Sequence, residues 1–130
     1  MTALAYVDAS AVVKLIVRAP ESESFQRWYV EAERVATSRV GIVEIERAAR
    51  RQSHIESRRM QVLSELEIIE LDAAIGRLAS GVGPASIRTL DAIHLASAMR
   101  LQPDLDAFVT YDDRLAAAAR AIGLPVIQPA

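Results

Sequence analysis

The chain has 130 residues, of which 52% are apolar, and its formal net charge is −2. That length can bury the core of one domain, so we expect a single domain over residues 1–130. With no cysteine and only two histidines, the chain excludes disulfides, zinc–thiolate sites and imidazole-rich metal sites. The sequence contains neither an apolar run of roughly 18 residues nor a secretory signal, so we expect a cytoplasmic protein that contacts no membrane.

Short apolar runs alternate with helical patterns along the chain. The run over 3–7 predicts a buried strand that ends at Asp8, and Ser10 is expected to cap the helix that follows over 11–17. Further strands are predicted at 35–38, 68–71, 107–110 and 126–127. Helices are predicted at 21–33, 40–51, 55–66, from 72 to the glycine- and proline-containing segment 81–84, at 89–101 and at 112–122, where Gly123 is the expected cap.

This alternation, without any Asn-Gly hairpin turn, predicts an α/β fold with a parallel sheet of about five strands between two helical layers. Parallel sheets of this kind bind ligands at the carboxyl ends of their strands, where the strand order reverses. Asp8 and Asp112 both fall just past the end of a predicted strand. We therefore expect both carboxylates at the ligand-binding edge.

Asp91 is the acid that is hardest to explain as a surface charge. Apolar residues surround most of its helix, and a carboxylate buried there costs several kcal/mol unless something compensates it. Helical periodicity does not separate Glu44 from Glu46, and Asp112 and Asp113 share a helix start, where acids are favoured. Taken singly, each acid has an ordinary explanation as a cap or as the partner of an arginine.

Several carboxylates gathered at one sheet edge repel each other, so some must bind a proton or a cation must enter. A hard divalent cation such as Mg²⁺ or Mn²⁺ accepts oxygen ligands and removes this conflict. It can also activate water and stabilise the charge that develops on a phosphodiester. The pattern therefore favours phosphodiester hydrolysis, and it leaves open whether one metal ion or two would bind.

Four segments of the sequence resemble those of the PIN-domain nucleases, and among them the VapC-type toxins of bacterial toxin–antitoxin pairs. The segments are Tyr-Val-Asp-Ala-Ser-Ala-Val-Val-Lys-Leu, Thr-Ser-Arg-Val-Gly-Ile-Val-Glu-Ile-Glu-Arg-Ala, Arg-Thr-Leu-Asp-Ala-Ile-His-Leu-Ala-Ser-Ala and Phe-Val-Thr-Tyr-Asp-Asp-Arg-Leu. They occur in the family's order and extend over nearly the whole chain. The glutamate that matches the second motif is Glu44, and Asp112 matches the last motif better than Asp113.

The resemblance implies a Mg²⁺-dependent endoribonuclease, with Mn²⁺ as a possible substitute, on a three-layer PIN-like fold. The implied metal ligands are Asp8 and Asp91, with Glu44 and Asp112 completing the acidic site directly or through water. Ser10 and Thr110 are the residues implied to orient carboxylates or water; together these are the six candidate site residues.

The resemblance also implies partners: an RNA substrate, a second copy of the chain in a homodimer, and a cognate VapB-like antitoxin. The antitoxin would block the site, and operator DNA would be bound only through it. Candidate phosphate contacts are Arg39, Arg47, Arg50, Arg51 and Arg88. For each of these arginines, a solvated helix face is the simpler interpretation.

Two other functions are compatible with a parallel sheet of this kind. One is an aspartyl-nucleophile phosphatase, but such a site needs a second acid beside the nucleophile and a lysine, whereas this chain has Ser10 there and Lys14 as its only lysine. The other is a binding module that kept the fold without the chemistry. His94 is interpreted as a packed core histidine, with a role as a general base as the alternative.

Overall fold

The computed structural model describes residues 2–130, which form five strands and seven helices. The strands are β1 (Leu4–Val7), β2 (Arg34–Ser38), β3 (Glu67–Ile69), β4 (Ala107–Val109) and β5 (Val126–Ile127). The helices are α1 (Ala9–Ile16), α2 (Ser22–Glu31), α3 (Arg39–Arg50), α4 (Glu56–Glu65), α5 (Ala73–Gly81), α6 (Thr89–Met99) and α7 (Asp113–Ala121). None of these seven helices has the length and apolarity needed to cross a bilayer.

All strand pairs are parallel, and the strand order is β3-β2-β1-β4-β5. Strand β1 lies at the centre, with its Ala5 aligned with Val35 of β2 and Ala107 of β4. The chain builds outward from β1 to β3 and then crosses to the other side of β1, so the order reverses between β1 and β4. The predicted parallel sheet is confirmed, and Asp8 and Asp112 both lie at this reversal point.

Helices cover both faces of the sheet because successive side chains of a strand point in opposite directions. Ala5 and Val7 of β1 pack into a buried cluster with residues of α1, α2, α3 and α4. Tyr6, between them, packs on the other face with residues of α6 and α7. The predicted three-layer architecture is therefore confirmed.

The start of α1 differs from the prediction that Ser10 caps it. Asp8 is the N-cap: its backbone is extended, and its Oδ1 accepts a hydrogen bond of 3.1 Å from the Ala11 amide. The helix consequently begins at Ala9, and Ser10 already lies in its first turn. Since the strand ends directly at Asp8, the aspartate carboxylate is the first side-chain oxygen able to reach the free amides.

Helix α6 is buried on nearly all sides, as its apolar composition predicts. Every residue from Ala92 to Ala98 is buried, including the polar His94 and Ser97. Asp91 precedes this stretch and is only half-buried. The helix therefore carries one carboxylate to the rim of the core, next to the carboxyl edge of the sheet.

Candidate active site

Asp8 is the most buried acid of the candidate site, with 4% of its surface exposed. Its Oδ1 accepts hydrogen bonds from the Ser10 hydroxyl at 2.7 Å and from the Ala11 amide. Its Oδ2 accepts a hydrogen bond of 2.7 Å from the Thr110 hydroxyl. These three donors fix the plane of the carboxylate at the end of the central strand.

Burial raises the pKa of Asp8 above the ordinary value of an aspartate, because the charged form loses hydration. His94 and the hydrogen bonds from Thr110, Ser10 and Ala11 act in the opposite direction and lower this pKa, but less strongly. The ionised carboxylate is therefore held in a position where a nearby positive charge would stabilise it.

Thr110 and Ser10 connect the ends of β1 and β4. Their hydroxyl oxygens lie 3.2 Å apart. The Thr110 hydroxyl also accepts a hydrogen bond of 3.0 Å from the Asp112 amide, and the Ser10 hydroxyl accepts one of 2.9 Å from the Tyr111 amide. The two hydroxyls predicted to orient the acids thus both bond to Asp8 and tie it to the loop that carries Asp112.

Asp91, Asp112 and Glu44 lie close enough to affect each other electrostatically. The pKa of Asp91 is raised, first by burial and next by the negative charge of Asp112. His94 and Arg88 lower this pKa, and Glu44 raises it. The structure therefore brings together, around Asp91, acids that the sequence places on α3, on α6 and after β4.

Asp112 is the N-cap of α7, and its Oδ1 accepts hydrogen bonds from the amides of Arg114 and Leu115. Asp113 lies in the first turn of α7 and is exposed. The electrostatic effect of Asp112 on Asp91 favours Asp112 over Asp113 as the fourth acid of the site.

Glu44 and Glu46 have different partners, which periodicity did not distinguish. The Glu44 Oε1 lies 2.6 Å from Nε2 of His94 on α6. Glu46 instead forms an ion pair with Arg59 on α4. Of the two, Glu44 is therefore the one that contacts a residue of α6 next to Asp91.

A buried tyrosine stands behind His94 and was not anticipated from the sequence. The Tyr6 hydroxyl lies 2.6 Å from Nδ1 of His94, and the two rings meet edge to face. The signals for this contact are present but weak: Tyr6 precedes Asp8 by two residues in a strand, and His94 follows Asp91 by three in a helix, so each shares a face with a site acid.

The donor set fits a hard divalent cation. All of the candidate ligands are carboxylates, and Asp91 has a raised pKa partly because its neighbours carry the same charge. Within residues 2–130, no three histidine or acidic side chains lie together as a group that could hold a metal ion by themselves. Hard divalent cations such as Mg²⁺ usually keep several waters and take only one or two carboxylates directly.

Comparison with known proteins identifies the family of this arrangement. The chain matches the PIN domain family over residues 5–121. The chain belongs to the PIN domain family. The resemblance found in the sequence motifs is thus confirmed over most of the chain.

Two similar relatives of this PIN domain are ribonucleases by name. Ribonuclease VapC46 of Mycobacterium tuberculosis is 41% identical over 127 residues, covering 95% of this chain and 96% of the relative. Ribonuclease VapC47 of the same species is 38% identical over 130 residues, with the same coverage. Among solved structures, a toxin–antitoxin complex from Klebsiella pneumoniae shares the fold, with a TM-score of 0.74, 23% identity, and coverage of 97% of this chain and 98% of that chain.

The arginines predicted to contact phosphate differ in their partners. Arg39, a candidate phosphate contact, is ion-paired with Glu70. Arg47, Arg50 and Arg51 line one shallow depression at the end of α3, and the ion pairs formed within residues 2–130 do not include them. The positive charges of these three arginines are therefore not paired with acids of the described residues and can attract an external anion.

Lys14 does not serve the acidic site as a phosphatase lysine would. Its ammonium group lies 2.7 Å from Glu21 and 4.8 Å from the centre of the Tyr111 ring. The oxygens of Asp8 are bonded instead to hydroxyl and amide donors. The arrangement therefore favours metal-assisted hydrolysis over an aspartyl-nucleophile mechanism.

Proposed function

We propose that this chain is the toxin of a type II toxin–antitoxin pair and acts in the cytoplasm as a metal-dependent endoribonuclease. Residues 1–130 would act as one PIN domain that hydrolyses RNA phosphodiester bonds. The proposal draws on the ribonuclease names of relatives at about 40% identity, 41% and 38%, over nearly the whole chain.

The observation that carries the proposal is the gathering of acids at the point where the strand order reverses. Asp8 follows β1, Asp112 follows β4, and the charges of Asp112 and Glu44 both raise the pKa of Asp91. A helix cap requires only one acid, so capping does not explain why four acids from distant parts of the sequence lie close together. A shared cation is the simplest reason for them to lie at one edge.

The chain's own residues would prepare this site for Mg²⁺ or Mn²⁺. Asp8 and Asp91 would be the direct ligands, with Glu44 and Asp112 completing the site. Ser10 and Thr110 would hold the Asp8 carboxylate in one orientation through their hydroxyls. When bound, the cation would supply activation of a water and stabilisation of the charge on the phosphodiester.

The partners follow from the same proposal. A complex from Klebsiella pneumoniae that shares this fold is a toxin–antitoxin complex by title, which supports a cognate antitoxin for this chain. We propose that the antitoxin blocks the acidic site and mediates contact with operator DNA, and that the chain forms a homodimer.

Cleavage of total cellular RNA tests the proposed function. Purified protein is incubated with RNA in Mg²⁺, in Mn²⁺ and in EDTA. We expect discrete fragments only with a divalent metal ion. The Asp8→Asn and Asp91→Asn variants should lower the cleavage rate by at least about 100-fold, since each removes a charge needed to hold the cation.

Asp112 and Asp113 provide a matched pair of variants for the same assay. Asp112→Asn should lower the rate, whereas Asp113→Asn should cleave like the unmodified protein. Equal loss from both variants would contradict the choice of Asp112. No cleavage, together with no rise of the melting temperature in Mg²⁺, would overturn the nuclease proposal and leave a binding module.

A further inference from the structure

Three side chains form a continuous hydrogen-bonded relay from the core to the acidic site. Tyr6 and His94 are buried, with 0% and 2% of their surface exposed, whereas the side chain of Glu44 is 32% exposed. His94 bonds through Nδ1 to the Tyr6 hydroxyl and through Nε2 to Glu44, both at 2.6 Å. Both nitrogens of a buried imidazole are therefore used, and neither faces solvent.

The chemistry of the two partners determines which nitrogen carries the proton. An ionised carboxylate only accepts hydrogen bonds, so Nε2 must donate to Glu44. In a neutral imidazole the other nitrogen is then an acceptor, and the Tyr6 hydroxyl can donate to it. When the ring is neutral, Tyr6, His94 and Glu44 thus match the Nε2–H tautomer, in which each of the three groups has a partner of the right kind.

The relay joins the elements that carry the site acids. Tyr6 lies on β1 two residues before Asp8, His94 lies on α6 three residues after Asp91, and Glu44 is itself the acid of α3. The Tyr6 ring is held by stacking on Phe108 of β4, with ring centres 5.3 Å apart. If the Glu44 side chain rotated away from the site, its hydrogen bond to His94 would break, because the buried imidazole ring cannot follow it.

The imidazole ring of His94 also has room beside α3 because position 41 is a glycine. A Cβ atom at position 41 would lie 3.3 Å from Cε1 of His94 and 2.5 Å from Oγ1 of Thr37. Gly41 lies on α3 one turn before Glu44, and it allows α3 to approach α6 closely. The contact between Glu44 and His94 depends on this close approach.

We propose that Tyr6 and His94 are positioning residues of the acidic site: the Tyr6 hydroxyl fixes His94 as the Nε2–H tautomer, and that N–H holds Glu44 towards the bound cation. His94 is therefore neither a general base nor simple core packing. The role of Glu44 towards a cation rests on the proposed function, whereas the tautomer of His94 does not.

The first test reads the tautomer in metal-free protein at pH 8. Long-range ¹⁵N–¹H NMR spectra distinguish Nε2–H from Nδ1–H, and a His54→Gln variant assigns the signals because the chain has only two histidines. We expect His94 as Nε2–H, and a shift towards a mixture of tautomers in Tyr6→Phe, which keeps the ring. An Nδ1–H or doubly protonated ring in the unmodified protein would overturn the relay.

The second test measures Mn²⁺ affinity by calorimetry, with the melting temperature followed for each variant. We expect His94→Leu to bind Mn²⁺ about 10- to 100-fold more weakly, as is usual when the outer partner of a metal ligand is lost. His94→Gln can still donate a hydrogen bond and should retain more affinity, and His54→Gln should not differ from the unmodified protein. A folded His94→Leu or Tyr6→Phe protein with undiminished affinity would overturn the positioning role.

The two tests separate this inference from the proposed function. If the unmodified protein binds no Mn²⁺, the metal site fails and the positioning role fails with it, while the NMR result still decides the relay. If it binds Mn²⁺ and all variants bind equally, the proposed function stands and the positioning role is wrong. If His94→Leu does not fold, Tyr6→Phe decides.

Discussion

Asp8 is both the N-cap of α1 and a buried carboxylate, and its buried charge is unfavourable in the absence of a cation. It caps α1 with Oδ1, which any aspartate, asparagine or serine can do. It is also buried, which raises its pKa because its charge is poorly hydrated. A cap alone would not require the charge, so the charge is the part of this residue that the site needs.

Replacing Asp8 by asparagine should therefore stabilise the metal-free protein at neutral pH. A carboxyl with a raised pKa binds its proton more tightly in the folded state than in the unfolded chain. The contribution of Asp8 to folding stability is consequently fully present below the unfolded value of about 3.8, and it is lost as the pH rises through the folded pKa. We expect the melting temperature of Asp8→Asn to exceed that of the unmodified protein at pH 7, and the difference to shrink towards pH 4.

An alanine at the same position provides the control. Asp8→Ala removes the charge and the cap together, and a lost N-cap costs about 0.5–2 kcal/mol of unfolding free energy. It should therefore be less stable than Asp8→Asn at every pH. If both variants melt at the same temperature, the capping role of Asp8 is wrong. If neither exceeds the unmodified protein at pH 7, the burial penalty is wrong.

Helix α3 carries Glu44 of the acidic site, and at Gly41 it packs closely against Thr37 of β2 and His94 of α6. The helix begins at Arg39 behind the N-cap Ser38, whose hydroxyl accepts a hydrogen bond of 2.8 Å from the Gly41 amide. Gly41 is buried against Thr37 and His94. An added Cβ would lie 2.5 Å from Oγ1 of Thr37 and 3.3 Å from Cε1 of His94, the residue that contacts Glu44.

Gly41→Ala should destabilise the protein by up to about 2 kcal/mol. Overpacking of a tight core costs about 1–3 kcal/mol, and alanine's higher helix propensity offsets about 1 kcal/mol of this cost. Gly76→Ala is the matched control, since Gly76 lies inside α5 with nothing within 4 Å of the added Cβ. It should be neutral or stabilising in urea unfolding, and equal stability of the two variants would contradict the close-packing argument.

The sequence was most informative where the physics is local. Alternating apolar runs predicted the parallel sheet, the positions of Asp8 and Asp112 past two strand ends, and the all-round burial of α6. The cap of α1 was assigned to Ser10 instead of Asp8, because one residue decides where a strand stops and a helix starts.

The remaining features depend on contacts between distant elements. Glu44 and Glu46 have similar surroundings along α3, and they differ only because one meets His94, 50 residues away, and the other meets Arg59 on α4. The family motif selected Glu44, whereas periodicity had left both open. The Tyr6–His94 contact joins residues 88 positions apart, and no spacing rule predicts it.

At the scale of the whole molecule, an acidic site on a chain of net charge −2 has to attract a polyanion. Part of the positive charge is paired with neighbouring acids: Arg34, Arg39 and Arg100 each form an ion pair. The arginine cluster of Arg47, Arg50 and Arg51 lies outside the ion pairs formed within residues 2–130. Two of its members follow Glu44 by three and seven residues, which places them on the same side of α3 as the acidic site.

RNA binding should therefore depend on the position of the arginines and not on their number. In EDTA, where cleavage is blocked, replacing Arg47, Arg50 and Arg51 by alanine should weaken binding of single-stranded RNA. The slope of log affinity against log salt concentration should fall by about 2, since each phosphate contact contributes about 0.7. The triple variant of Arg34, Arg39 and Arg100 changes the net charge equally, but those residues are already paired, so its slope should be almost unchanged. An equal loss of RNA affinity in both triple variants would contradict this prediction. It would mean that the overall charge of the protein attracts the RNA, and not phosphate contacts with the arginines on the Glu44 side of α3.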